Sequence, residues 1–272
     1  MLEVKNLTVE FQSGKNTLTA VNGLNLSIAK NEIVGLVGES GCGKSVSALS
    51  ILGLIEPPGK IASGEVIFKN HDLLKLKPEE LRKIRGKEIS MVFQNPLAAL
   101  NPLFSIKTQM MDIILLHQKV DKATAFKKAI ELLDKVKIAD AKNRINQYPH
   151  QFSGGMAQRV MIAMAISALP SLLIADEPTA SLDVTIQAEV LDLLKQLNRE
   201  LNLAILMISH DLNVIKYLCT KIVVMYMGKV VEVGPTKQIL DNPKHPYTKL
   251  LLSSANMTGY DRQKFEQEMR EL

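Results

Sequence analysis

An α/β fold with a mostly parallel core sheet is predicted by three observations. The apolar run Ile33-Val34-Gly35-Leu36-Val37 leads directly into the glycine-rich stretch Gly38-Glu39-Ser40-Gly41-Cys42-Gly43-Lys44-Ser45, and a helical segment, residues 45–55, follows it. A second apolar strand, residues 172–175, ends in the acidic pair Asp176-Glu177. A helix over residues 184–202 separates that strand from the next, 203–208, and this βαβ order calls for parallel neighbours.

Taken in order, residues 1–35 hold β-type runs, Leu2-Glu3-Val4, Leu7-Thr8-Val9-Glu10-Phe11 and Leu24-Asn25-Leu26-Ser27-Ile28, which form an antiparallel β lobe. Asn22-Gly23 and Lys30-Asn31 supply turn chemistry between them. The helix that leaves the glycine-rich loop is stopped by Glu56-Pro57-Pro58-Gly59. Ile89-Ser90-Met91-Val92-Phe93 is a further strand, ending at Gln94. Beyond Asn101-Pro102 the pattern turns helical, with Phe126, Ala129, Ile130, Leu133 and Val136 on one side and Lys127, Lys128, Glu131 and Lys135 on the other. This is expected to be a helical lobe, at about 100–165, inserted between strands. Strand character returns at 222–227, and no internal repeat or low-complexity tract is present.

Bulk properties narrow the class. The chain has 272 residues, 46% of them hydrophobic, enough for one large domain or a domain with an inserted lobe. The net charge of +5 is spread along the chain, only 4% of residues are aromatic and none is tryptophan, so the basic balance reads as solvated surface and no nucleic-acid partner is expected. Two cysteines, Cys42 and Cys219, carry no metal-ligand spacing and suit a reducing compartment. The opening residues have neither a basic nor an apolar leader region, and the longest uncharged stretch, 160–175, is interrupted by Pro170 and is shorter than the roughly 18–20 residues that span a bilayer.

The residues that carry chemistry fall into a few groups. In the glycine-rich loop, Gly38, Gly41 and Gly43 let the backbone curl so that successive N–H groups face phosphate oxygens, assisted by the following helix N-terminus. Glu39, Ser40, Cys42 and Val46 complete the stretch expected to contact nucleotide; Lys44 reaches the β- and γ-phosphates, and the Ser45 hydroxyl ligates Mg²⁺. Cys42 reads first as a small filler residue of the loop rather than a redox switch; its position beside Lys44 and the phosphates could lower its pKa and make it an alkylation target that ATP protects. The strand-end pair supplies Asp176, to hold Mg²⁺ through water, and Glu177, to polarise the attacking water. Ser153-Gly154-Gly155 opens another helix, over 156–168, and so forms a second anion site. One triphosphate needs two such cradles only if the second serves another nucleotide, which points to a face-to-face pair; an ordinary helix N-cap with flexible glycines is the alternative. His210 and Gln94 each end a strand run, His210 suited to the γ-phosphate and Gln94 to Mg²⁺ and water.

With these residues assembled, the chain resembles an ABC-family ATPase subunit over essentially all of residues 1–250, leaving 251–272 as a short tail. Ser153 to Gln158 matches the family signature, with Phe152 where leucine is commonest; Ser181-Leu182-Asp183 matches the D-loop, Gln94 the Q-loop and His210 the switch histidine. The resemblance implies Glu177 as catalytic base, Asp183 and the signature at a dimer interface, Phe11 as the aromatic stacked on adenine, and ATP with Mg²⁺ as cofactors. Three segments, 92–102, 181–188 and Asn242-Pro243-Lys244-His245-Pro246-Tyr247-Thr248, are similar to the ATPases of dipeptide, oligopeptide and nickel importers. Peptide-importing members often carry a cysteine cluster for an iron–sulfur centre in a long tail; with no cysteine beyond Cys219, no such cluster is expected here, which adds weight to nickel or metal chelates. The family implies a second ATPase subunit, a heterodimer being favoured over a homodimer, two membrane permease subunits and an extracytoplasmic substrate-binding protein, with this chain peripheral on the cytoplasmic face of the membrane. A soluble ABC ATPase acting on ribosomes or DNA, and an exporter cassette, are the competing readings.

Overall fold

The computed structural model describes residues 1–256 and 262–270, in two compact units: Met1–Leu81 with Leu206–Leu272, and Arg82–Ile205. Residues 257–261 and 271–272 of the expected tail lie outside the described residues.

In the first unit an antiparallel sheet runs in the order Asn16–Ile28, Leu2–Ser13, Gly59–Phe68, His71–Asp72. Leu2, Val4, Leu7 and Val9 are buried, which is two alternating pairs out of phase by one residue. The phase break is a bulge at Asn6, whose φ is 47° and whose amide and side chain bond Asn25 at 3.1 and 3.0 Å. The separate runs of the sequence are therefore one bent strand. Asn22-Gly23 is likewise no turn: it lies inside Asn16–Ile28, where the partners Leu7↔Leu24 and Val9↔Val21 leave an extra residue. The hairpin turns instead at Gly14-Lys15. Cross-strand burial on both neighbours overrides local turn propensity here.

Lys229–Pro235, Lys221–Tyr226, Ile33–Val37 and Ala204–Ser209 lie side by side in that order, the last with its first two residues in the second unit. Lys221–Tyr226 is antiparallel to Lys229–Pro235 and parallel to Ile33–Val37. All five residues of Ile33–Val37 are buried, the continuous apolar run of a strand covered on both faces. The helix Lys44–Ile51 then leaves the glycine-rich loop. It is shorter than its expected 45–55, because Gly53 takes φ 62° and closes the end through Gly53 N to Ser50 O and Leu54 N to Leu49 O. The Pro57-Pro58 pair comes after the stop rather than causing it.

The second unit pairs Ile89–Val92 in parallel with Leu172–Asp176, in the register Ile89↔Leu172 to Val92↔Ala175. Its main helices are Ile106–His117, Lys122–Lys135, Gly154–Ile166 and Val184–Leu201. Ser105, Asp121, Ser153 and Asp183 cap them, each side chain accepting a backbone N–H from the first turn. Gly154–Ile166 starts two residues earlier than expected and is buried on nearly every face from Ala157 to Met164. Lys122–Lys135 buries Ala125, Ala129 and Leu133 and leaves Lys127 and Glu131 outward, while Phe126 and Ile130 are half-buried.

Asn198 fixes how Val184–Leu201 hands over to the next strand: its buried amide donates to Leu203 O at 2.6 Å, and its own carbonyl accepts from Leu203 N. Asn198→Leu removes the partner of a buried carbonyl, so urea unfolding should show a loss of about 1–3 kcal/mol; an unchanged midpoint would contradict this account of the junction.

Candidate functional site

In the first unit, Gly38–Ser45 curls between Ile33–Val37 and Lys44–Ile51 as the tight glycine-rich loop expected to take phosphate. The curl depends on bare backbone. A Cβ on Gly38 would lie 2.2 Å from Met225 O, and one on Gly43, whose φ is 104°, would lie 2.4 Å from Ala20 O. The turn that joins Lys221–Tyr226 to Lys229–Pro235 underpins the loop, since Gly228 N donates to Cys42 O at 3.1 Å. Lys44 is buried at 5% exposure, and its ammonium donates to Gly38 O at 2.7 Å and Glu39 O at 2.8 Å. Glu39, Ser40, Gly41 and Ser45 are exposed at the rim and Val46 is half-buried.

Cys42 corrects an expectation. It is buried, and burial pushes its thiol above the ordinary value although Lys44 pulls the other way. The thiol is therefore protonated and shielded at neutral pH rather than activated. His210 is exposed just past Ala204–Ser209, where Asp211 caps the helix Leu212–Leu218 through Asn213 N at 2.8 Å. Phe11 is half-buried near the end of Leu2–Ser13, opposite Leu18 and Gly59, with its ring so close over Gly59 that a Cβ there would meet Cε1 at 2.6 Å. Ala20 and Val21 of that sheet lie against the glycine-rich loop at Gly43.

In the second unit the parallel register does chemical positioning. Because Val92 faces Ala175, the chain two residues further on brings Gln94 beside Glu177 at the same sheet edge, and Gln94 Nε2 donates to Glu177 Oε2 at 3.1 Å. Asp176 is buried at 8% exposure as the last strand residue, and Glu177 is half-buried with φ 46°, a left-handed backbone unusual for a non-glycine residue. Each unit by itself offers oxygen donors of the kind that a hard cation requires, the Ser45 hydroxyl in the first and the Gln94 amide oxygen and Asp176 carboxylate in the second.

Ser153 caps Gly154–Ile166 through Met156 N at 3.3 Å and is exposed with Gly154. The same helix start lies against the segment that holds Asp183. A Cβ on Gly155 would sit 2.5 Å from Ile186 Cγ2, and one on Gly154 would lie 3.9 Å from Leu182 Cδ2. Asp183 is exposed and caps Val184–Leu201 through Ile186 N at 3.0 Å. Arg159, buried in the signature helix, donates to Val136 O at 3.1 Å and pairs with Glu189, tying the two helices together.

Lys44 with its loop is thus one cluster, Gln94 with Glu177 a second, and Ser153–Gly155 with Leu182–Ile186 a third. Ala20, Met225 and Tyr247, whose hydroxyl accepts the Glu39 N–H at 2.9 Å, were not singled out as loop-building residues from sequence. Tyr247 alone carried a signal, as part of the His-Pro-Tyr-Thr segment.

This combination defines a nucleotide-binding cassette of a transporter: residues 21–180 match the family described as ABC transporter, and the chain belongs to that family. Residues 231–270 match a second family, described as oligopeptide/dipeptide transporter, C-terminal region. The chain is 48% identical over 248 residues to the oligopeptide transport ATP-binding protein OppD of Haemophilus influenzae, covering 91% of this chain and 76% of that protein. It is 47% identical over 255 residues to the dipeptide transport ATP-binding protein DppD of Bacillus subtilis, covering 93% and 76%. Among solved structures, the dimeric post-hydrolysis state of the ATP-binding cassette MJ0796 bound to ADP and Pi is similar with a TM-score of 0.78 at 31% identity, covering 87% of this chain and 99% of that one. The cassette cbiO1 from Clostridium perfringens matches with a TM-score of 0.76 at 25% identity, covering 100% and 98%.

Gly155→Ala should destabilise the chain by about 1–3 kcal/mol in urea unfolding, with Ile186→Ala restoring part of the loss; additive losses in the double variant would contradict the close approach. Cys42 should react with iodoacetamide more slowly in the folded chain than in urea at pH 8, and equal rates would contradict its burial.

Proposed function

We propose that this chain is the ATP-hydrolysing subunit of a bacterial ABC importer of short peptides, held peripherally on the cytoplasmic face of the membrane. One observation carries the hydrolytic part: Glu177, its backbone in the left-handed region, receives the Gln94 amide at 3.1 Å at the end of a buried strand. Among the described residues no helix is long and apolar enough to cross a membrane, so the route through the bilayer belongs to other subunits in this reading.

The chain's residues divide the work. Backbone N–H groups of Gly38–Ser45 receive the phosphates of ATP, and Lys44 balances their charge. Ser45, Gln94 and Asp176 would hold Mg²⁺, which when bound neutralises charge on the β- and γ-phosphates. Glu177 takes a proton from the attacking water, Gln94 orients both, and His210 contacts the γ-phosphate. Phe11 offers a ring face to adenine. Ser153, Gly154, Gly155 and Asp183 face the nucleotide of a partner ATPase, so that two chains close on two ATPs; a sister ATPase is the partner we favour.

Coupling to a permease is supported by the segment around and after Gln94, in which Phe93, Leu97, Leu103 (80%) and Phe104 (50%) are all exposed. The match of residues 231–270 supports peptide as the substrate class.

Glu177→Gln should keep ATP affinity and lower turnover at least about 100-fold, measured by phosphate release; turnover near wild type would remove Glu177 from the base role. Lys44→Ala should weaken MgATP binding by about tenfold or more, read by calorimetry, and unchanged affinity would contradict the phosphate-loop assignment. Purification from detergent-solubilised host membranes should bring two permeases, a second ATPase and a binding protein that carries peptide. A binding protein carrying nickel would replace the substrate class, and ribosomal or DNA-repair partners would overturn the transport reading.

A further inference from the structure

The His-Pro-Tyr-Thr segment, about 200 residues along the chain from the phosphate loop, ends on that loop. Tyr247 is wholly buried, and its hydroxyl accepts the backbone N–H of Glu39 at 2.9 Å across 208 residues of sequence. That N–H belongs to the peptide group joining Gly38 to Glu39. The carbonyl of the same group, Gly38 O, accepts from the Lys44 ammonium at 2.7 Å. One peptide plane is therefore gripped at both ends, by a phenol on its N–H and by the phosphate-binding lysine on its oxygen. Hydrogen bonds in such a chain polarise one another, and rotation of the plane would break both.

The tyrosine is itself held firmly. Its ring packs on Tyr226 at a centroid distance of 4.2 Å, and Tyr226 in turn meets Phe265 edge-on at 6.1 Å. The Tyr247 N–H donates to His245 Nδ1 at 3.1 Å, and the Glu232 carboxylate accepts the N–H groups of Lys244 and His245 at 2.9 and 3.0 Å. Burial holds the His245 imidazole below its ordinary range, which keeps Nδ1 available as an acceptor at neutral pH. Burial also pushes the Tyr247 phenol up, so it stays neutral. An ion pair between Lys249 and Glu268 at 2.7 Å links the helix that begins at Pro246 to Arg262–Arg270.

We infer that Tyr247 is a positioning residue for ATP binding: by fixing the Gly38–Glu39 peptide plane it aims the Lys44 ammonium, and it makes the C-terminal segment a working part of the phosphate loop. This rests on the proposal that the loop binds ATP. The Lys44 ammonium donates to the Gly38 and Glu39 carbonyls and, more distantly, to Cys42 Sγ at 3.8 Å, so where those two carbonyls point sets where the ammonium sits against the loop.

The test uses the full chain and MgATP titration calorimetry, with thermal unfolding of each nucleotide-free variant. Tyr247→Phe keeps the ring and removes only the hydroxyl. It should weaken MgATP binding about three- to tenfold, the loss of one hydrogen bond, and raise KM by the same factor with kcat within about twofold. Thr248→Val is the control: Thr248 is 1% exposed and its hydroxyl has no hydrogen-bond partner among the described residues, so this neighbour also loses a buried hydroxyl without touching the loop. It should bind MgATP as wild type does. Wild-type affinity in Tyr247→Phe would overturn the inference while leaving the ATP reading intact. Equal weakening in both variants, with matching loss of melting temperature, would overturn it by reducing Tyr247 to general core packing. A wild-type chain that does not bind MgATP would overturn both.

Discussion

Burying the Lys44 ammonium is the constraint around which the first unit is built. Removing an ammonium from water costs of the order of several kcal/mol unless its donors are satisfied, and Gly38 O and Glu39 O satisfy two of them. Those carbonyls turn inward only because the loop curls tightly, and the curl is possible only where Met225 O and Ala20 O meet glycines rather than side chains. The all-buried strand Ile33–Val37 delivers the loop to that place, and the turn at Gly228 holds Cys42 from below. The loop's shape is therefore set by its own backbone contacts, which form during folding.

The second unit solves a different problem, how to set a carboxylate and an amide side by side at a strand end. Parallel pairing in register does so directly, because residues at equal distance past Val92 and Ala175 must emerge together. The left-handed backbone at Glu177 then turns the chain out of the sheet at the carboxylate itself. The signature helix is placed by packing rather than by register: Gly155 yields its side-chain space to Ile186, and Arg159 is locked to Glu189. The three clusters are thus placed by different means: close backbone approaches at Gly38 and Gly43, strand register at Gln94 and Glu177, and packing of Ile186 on Gly155.

Local structure was legible in the sequence. Strand, glycine-rich loop and helix are contiguous, so their meaning survives without tertiary information, and the apolar strand 172–175 with its acidic end needs only its neighbours to be read. The α/β fold followed from these, and its ABC type from the resemblance carried by Ser153 to Gln158. What was hidden depends on partners far away in sequence. Asn22-Gly23 has the composition of a turn, but burial on either side draws it into a strand as a bulge. The helix after the loop ends at Gly53, a single residue whose φ no periodicity announces. Cys42 sits beside a cation in sequence and in space, yet burial governs its thiol because desolvation outweighs one neighbouring charge. Tyr247 was visible only as part of a segment shared with importer ATPases; that its hydroxyl meets Glu39 is a fact of tertiary structure.

The central claim is that the loop Gly38–Ser45, built around buried Lys44, receives the phosphates of ATP through its own backbone N–H groups. Amide hydrogen exchange across residues 38–47, with and without MgATP, reads those groups directly. Exchange should slow markedly in this segment on adding MgATP, and much less in the exposed helix face around Lys127 and Glu131. Unchanged exchange in residues 38–47 at saturating MgATP would contradict the claim.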